Sequence, residues 1–319
     1  MNDRRLLVSL CFLTLPVSAQ VAPKAGFSGE ISINMGVASS TSNLNTSGSD
    51  TINSLNQSAS SDTGFILAPL GTLTYTFGSN LNQQLYGGTS RDDIAVGTLA
   101  FELGYRYHFQ SGTSVDISYL PTIVSGEEWA DPYLLNAPRK ETDVDGNAYR
   151  LQISRLAGLP IKLDLAYADK DVDNDEYVGT ELARDAKTWY MKSQYILPLS
   201  KQSTLAPALT YTDHSADGNA SSFDEIGLEI SWFTAVERNR LALTAGYSKR
   251  DYDQGAQLFD HVARSEDVIS LFAAFERPNI MGWKNWSLIS LAGYGQSNSN
   301  LTFYDESQYI VSVGMNYRF

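Results

Sequence analysis

Cysteine is almost missing from this sequence. The single one among 319 residues, Cys11, lies in a segment that reads as an export signal. The chain left after its removal has no thiol to pair, to ligate a metal or to attack a substrate, as suits an oxidising compartment. Histidine is scarce too, with three, so acid–base catalysis has little to work with. No stretch approaches the roughly 18 consecutive apolar residues that mark a membrane-spanning helix. Positive charge is also short: Lys+Arg number 23 against 36 for Asp+Glu, a formal net charge of −13. That balance argues against binding nucleic acid through its phosphates and against docking on an anionic surface.

What is present begins with Arg4 and Arg5, ahead of the apolar run LLVSLCFLTL at residues 6–15. Pro16 breaks the run, and Val17, Ser18 and Ala19 put small residues where a signal peptidase reads. Cleavage is expected after Ala19, giving a signal peptide over 1–19 and a mature chain over 20–319. The removed piece carries Asp3, Arg4 and Arg5, a net +1, so the mature charge is −14. Cys11 does not read as a lipoprotein cysteine, because Leu10 precedes it where a small residue is wanted.

Past residue 19 the dominant feature is alternation. Over residues 95–109, Ala95, Gly97, Leu99, Phe101, Leu103, Tyr105, Tyr107 and Phe109 share one parity, while Thr98, Glu102, Arg106 and His108 fall on the other. Such patterning is too long for an ordinary strand of about 5–6 residues. It fits a strand crossing a bilayer, one face on lipid and the other on a polar lumen. The pattern recurs fourteen times, from Phe27, Ile31, Ile33, Met35 and Val37 to Tyr309, Val311, Val313, Met315, Tyr317 and Phe319. The third segment (Leu81, Leu85, Gly87) is short, the ninth contains Pro207, and the thirteenth, 288–294, is apolar on both parities. The expected fold is all-β: a transmembrane antiparallel up-and-down β-barrel of about 14 strands, with 12 or 16 one hairpin away.

The connections alternate in length. Short ones contain residues 78–80, 110–112, 158–160, 200–203 and 237–239; long ones cover 39–63, 124–146, 169–185, 213–222, 251–267 and 297–307. Barrels in the outer membrane place short turns on the periplasmic side and long loops outside. Residues 278–285 make one longer inner turn. Tyr119, Tyr167, Tyr211, Tyr247 and Tyr294 end rising strands, while Phe77, Phe109, Trp232, Phe275 and Phe319 end falling ones. Aromatic girdles at both interfaces predict that sorting.

Three stretches, APLGTLTYTFGSNLNQQLYGGTSRDDIAVGTLAFELGYRY (68–107), SYLP (118–121) and GNAYRLQIS (146–154), resemble a family of gammaproteobacterial outer-membrane proteins, domain of unknown function 2860. The resemblance covers essentially the whole mature chain. It implies a barrel in the cell outer membrane and brings no catalytic or binding residue with it. The terminal residues 308–319 are similar to the strand by which the barrel assembly machinery recognises its clients, which implies an assembly signal at Tyr317 and Phe319.

By parity, the lumen-lining set is Glu30, Glu102, Arg106, His108, Asp116, Arg150, Gln152, Lys162, Asp164, Lys192, Gln194, Glu225, Glu229 and Arg318. Both signs are present, so these groups either pair across strands or line a wet pore. Eight strands leave a filled interior and sixteen to eighteen a channel, so about fourteen favours a narrow pore. In loop 124–146, Trp129, Tyr133, Leu134 and Leu135 form an apolar patch that needs burial. It either constricts the pore or packs on neighbouring loops. Loop 39–63, rich in Ser, Thr and Asn, reads as mobile.

Excess acid sits in the outer loops, where divalent cations shared with surface lipopolysaccharide would offset it. Asp171, Asp173 and Asp175 begin a calcium-loop spacing, but Glu176 stands where Gly is needed and Leu182 where Glu is needed, so no metal is expected. Asp213-His214 and Asp260-His261 loosely resemble the Asp–His dyad of outer-membrane proteases. Adjacent residues point to opposite faces of a strand, however, so neither pair is a dyad. The expectation is a porin-like channel for small hydrophilic solutes or ions, with no enzymatic activity, no cofactor and no nucleic-acid partner. The alternatives are a plugged barrel serving as surface receptor or adhesin through acidic loops and, least favoured, a rim hydrolase.

Overall fold

The computed structural model describes residues 24–89, 100–121 and 126–319. The export segment at 1–19 and the upper end of the fourth alternating stretch, 95–99, lie outside the described residues. Fourteen strands alternate up and down: β1 Gly26–Thr41, β2 Ser61–Phe77, β3 Gln83–Thr89, β4 Phe101–His108, β5 Ser114–Pro121, β6 Glu141–Ser154, β7 Ile161–Val172, β8 Ala186–Tyr195, β9 Ser203–Ala216, β10 Phe223–Val236, β11 Asn239–Gly255, β12 Ala263–Pro278, β13 Trp286–Ser299 and β14 Glu306–Arg318. Gly126–Trp129 pairs with the outer part of β6 beyond β5, and Leu197–Pro198 prolongs β8. Each strand pairs antiparallel with its sequence neighbours, and β14 pairs with β1 from Arg318↔Glu30 to Ser307↔Thr41, closing the sheet on itself.

The outer surface explains why the chain folds this way. Phe27 is 72% exposed, and Ile31, Ile33, Met35, Leu67, Ile226, Leu228 and Ile230 all lie open on the outward parity. Leaving each such side chain in water would cost about 1.5–3 kcal/mol. A wall of them is stable only against lipid, where the pairing of the last strand with the first closes the sheet. The tyrosine hydroxyls at the outer rim donate outward of this band: Tyr211 to Asp224 and Tyr247 to Asp267, each at 2.6 Å, and Tyr294 to Gln296 at 2.8 Å. Tyr119 donates likewise to Asn147. Apolar ring below and polar tip above is the arrangement a headgroup boundary selects.

Two soft points of the sequence pattern have physical explanations. Pro207 does sit inside β9, paired to Ile230 of β10 on one side. On the other side the ladder to β8 lapses between Leu197↔Leu205 and Gln194↔Ala208, where proline supplies no donor. The strands on the outer side also run longer than the alternation suggested. With 16 residues in β1, 17 in β2 and 17 in β11, several turns of the ladder project beyond the roughly 9–11 residues that cross a bilayer.

Candidate functional site in the lumen and its outer dome

Because side chains alternate across a strand, one parity of every strand faces the lumen, and directly opposed residues share a face. On the side formed by β3 to β8 this lumen wall is charged. Arg106 Nε donates to Asp116 at 2.6 Å, and the Tyr86 hydroxyl donates to the same carboxylate at 2.6 Å. Arg150 forms a fork on Asp164 (Nε at 2.8 Å, Nη2 at 2.5 Å) and lies 3.7 Å from Glu102. Gln152 donates to Asp164 at 2.8 Å and Ser118 to Glu102 at 3.0 Å. Lys192 donates across to Glu229 of β10 at 2.6 Å. His108 lies 3.4 Å from Gln84. Lys162 faces inward at the periplasmic end, with no ion pair among the described residues.

The opposite side, β9 to β14 with β1 and β2, carries two belts of charge. Near the periplasm Arg318 donates to Glu30 at 3.0 Å and to Glu276 at 2.8 Å, and Arg240 donates to Glu276 at 3.1 Å. Near the outer end Arg250 donates to Glu225 and Glu266 at 2.8 and 2.9 Å. Between the belts, β12, β13, β14, β1 and β2 turn large apolar side chains inward, Ile66 and Leu70 on β2, Phe272 on β12, Ile289 and Leu291 on β13, and Ile310 on β14, among small residues and the polar Asn34 and Asn316. The lumen is therefore two-faced.

Above the outer belt the long loops fold together. Tyr133, Leu182, Ala220, Ala256, Phe259, Phe303 and Tyr304 form one buried cluster, with Ile52, Leu55, Tyr177 and Leu301 packed on it. These residues come from six loops spaced around the ring, so their meeting point spans the mouth as a dome. Tyr133 is its centre, with ring contacts to Tyr177, Phe259, Phe303 and Tyr304. Burial raises the pKa of both Tyr133 and Tyr304 above the ordinary phenol value. Arg264 lies between the Tyr252 and Tyr304 rings, 3.5 and 3.9 Å from their centroids. Arg184 donates to the Trp129 and Ala130 carbonyls and to the buried Asp175. That carboxylate, part of the calcium-like spacing, is thus engaged by an arginine. No group of three or more His, Cys, Asp or Glu placed to hold a metal occurs among the described residues.

The Ser-, Thr- and Asn-rich loop, expected to be mobile, is tied down. Arg139 donates to the carbonyls of Asn43, Ser49, Asp50 and Pro132 and sits 4.3 Å over the Trp129 ring. Asn43 donates to the Gln57 and Phe303 carbonyls, both at 2.9 Å. The polar composition that suggested disorder supplies the hydrogen bonds that fix the loop.

The lumen residues predicted by parity all lie on inward rows, and most meet in the pairs above. Trp129 and Tyr133 are buried in the dome, Leu134 is half-buried, and Leu135 faces solvent beside Ile52. Tyr317 packs between Trp286 and Phe319 on the outward face. Phe319 exchanges backbone hydrogen bonds with Gly29 at 3.0 and 3.1 Å. His214 is not beside Asp213's face. It stacks on Phe223 at 4.6 Å and meets the Thr188 hydroxyl at 2.8 Å. His261 lies in the loop after β11 with a left-handed backbone, φ 59°. Sequence reasoning missed Arg240, Arg250, Arg264, Glu266 and Glu276. The parity of β11 already pointed Arg240 and Arg250 inward, whereas Glu266 fell in what read as loop.

A family model described as a protein of unknown function (DUF2860) matches residues 26–318. No curated relative matches the chain. Among solved structures, a loop L8 deletion mutant of OmpT, an outer membrane protein of Vibrio cholerae, is similar at 9% identity and TM-score 0.42, over 91% of this chain and 99% of that one. The outer membrane channel DcaP of Acinetobacter baumannii is similar at 14% identity and TM-score 0.40, over 93% and 98%. An anion-selective porin from Comamonas acidovorans gives 13% identity and TM-score 0.42, over 93% and 100%. At such low identity these likenesses concern the barrel architecture alone.

Proposed function

The chain belongs to the DUF2860 family, and we propose, from its own interior, that it is an outer-membrane channel for passive passage of small water-soluble solutes and ions, narrowed outside by its folded dome. The observation that carries the reading is the wetness of the ion-pair wall. The Arg106 side chain is 37% exposed and those of Arg250 and Arg318 are each 25% exposed, although all three point into the lumen. A plugged interior would bury such groups, and burying them would cost several kcal/mol per ion unless fully paired. Opposite charges in near balance give the passage little overall ion preference. Tyr133, by packing on neighbouring loops, is the residue that narrows the mouth.

Single-channel recording of the refolded protein in a planar bilayer tests this. Stepwise currents are expected, with a larger unitary conductance in Arg139→Ala, whose dome has lost its anchor. Silence at every voltage in both proteins would sink the channel reading. It would favour the second one, a surface receptor presenting the packed dome, for which the buried loop cluster is the specific support. In either reading lipid surrounds the apolar band, and lipopolysaccharide faces the acidic outer loops.

A further inference from the structure

The inward apolar strip needs a reason to exist. A water-filled lumen is ordinarily polar, and each large apolar side chain facing water there costs free energy that a serine would not. Yet Phe272, Ile310, Leu291, Ile66, Ile289 and Leu70 lie on adjoining rows of the wall. Cross-strand pairing runs Phe272↔Gly293↔Ile310, then Ala274↔Leu291↔Ser312↔Gly36↔Ile66, then Ile289↔Gly314↔Asn34↔Ala68, then Asn316↔Ser32↔Leu70. The large side chains close over glycines: a Cβ at Gly293 would lie 2.9 Å from Ile310 and 3.2 Å from Phe272. Most of these apolar side chains stay half-buried, so the opposite wall does not seal them.

In the middle of the strip lies Asn34, 2% exposed, whose amide nitrogen donates to Ser32 at 2.9 Å. Its Oδ1 accepts no hydrogen bond among the described residues. A buried acceptor left without a donor is costly. This one sits over Gly314, where a Cβ would collide with it, so it is on the lumen side of the wall. The charges bordering the strip are engaged with one another: Arg318 with Glu30 and Glu276, Arg240 with Glu276, and Arg250 with Glu225 and Glu266. A charged ligand would have to break one of those pairs, whereas an uncharged one leaves them intact.

We propose that this strip, with Asn34 at its centre, is the solute-binding surface of the lumen, and that it takes an uncharged molecule combining an apolar body with a hydrogen-donating group. The inference rests on the channel reading for its route of access. The apolar body covers Ile66, Phe272 and Ile310, and the donor, a hydroxyl or an amide N–H, satisfies the Asn34 oxygen once that buried side chain turns out toward the lumen.

The test uses the refolded full chain in a planar bilayer with three probes: phenyl β-D-glucoside, glucose and phenyl glucuronide. Phenyl glucoside is expected to interrupt the ion current in a concentration-dependent way, and the other two are not at the same concentration. Phe272→Ser and Ile66→Ser should each weaken the block about tenfold, with heat-modifiable mobility on a gel confirming that each variant is folded. Ion current on which all three probes act alike overturns the inference and leaves the channel standing. No current at all overturns the channel reading. Calorimetric titration of the same protein in detergent with phenyl glucoside then decides the inference: binding weakened in Phe272→Ser upholds it, and no binding overturns it.

Discussion

Arg150 holds two carboxylates of the wall at once. Asp164 and Glu102 are both buried, and the guanidinium forks on one while reaching the other. Arg150→Ala would take the guanidinium away from both carboxylates in a low-dielectric wall. It should lower stability by about 3 kcal/mol, read from the urea midpoint of the heat-modifiable band. Lys162→Ala, which breaks no ion pair, should change it by less than about 0.5 kcal/mol. Equal effects would contradict the pairing.

His214, above the outer tyrosines, behaves differently. Burial first, then Lys170, Arg250 and Arg264, push its pKa down to about 4, against the opposing pull of Asp213. Between the usual 6.5 and about 4 the unfolded imidazole binds a proton that the folded one refuses. Its contribution is complete above pH 6.5 and is lost as pH falls toward 4. Outer-loop protection against protease should therefore weaken over that window more steeply in the wild type than in His214→Gln. Superimposable profiles would refute the assignment.

At the scale of the strand, lipid is what made the fold readable. Ile31, Ile33, Met35 and Val37 alternate with Ser32, Asn34 and Gly36 because one side meets hydrocarbon and the other does not. Where β9, β11 and β12 project above the bilayer, both sides meet polar surroundings. The pattern fades there, and Glu266 reads as loop although it sits in a ladder opposite Arg250. On β13 the opposite happened: Ile289 and Leu291 face the lumen, so both faces are apolar and the parity that marks function cannot be seen from sequence. The seam between β1 and β14 adds a constraint of its own. At Gly29 a Cβ would lie 2.5 Å from the Thr72 carbonyl oxygen of β2 and 2.9 Å from the Phe319 ring. Gly29→Val should push apart both the β2 backbone and that ring, and deletion of Phe319 should loosen the last rung alone; each should lower the yield of heat-modifiable barrel in membranes. Unchanged yield in both would remove Phe319 from the assembly signal.

For the molecule as a whole, the dome was the part that sequence could not show. The sequence marks Tyr133 as needing burial, but its partners Tyr177, Phe259, Phe303 and Tyr304 come from loops up to 171 residues away. Nothing local in any one loop encodes that meeting. The distances along the chain also set an order of events. Asn43 donates to the carbonyl of Phe303 across 260 residues, a contact between the first outer loop and the last. Contacts of such sequence separation are slow to form, since the entropy of closing the loop must be met before they give any return. Here that cost is met only when β14 finds β1. In a refolding time course, protease resistance of the outer loops should appear together with the heat-modifiable band and never ahead of it. The dome would then report that the ring beneath it has closed, and a barrel halted one strand short would display its loops as separate, cleavable chains.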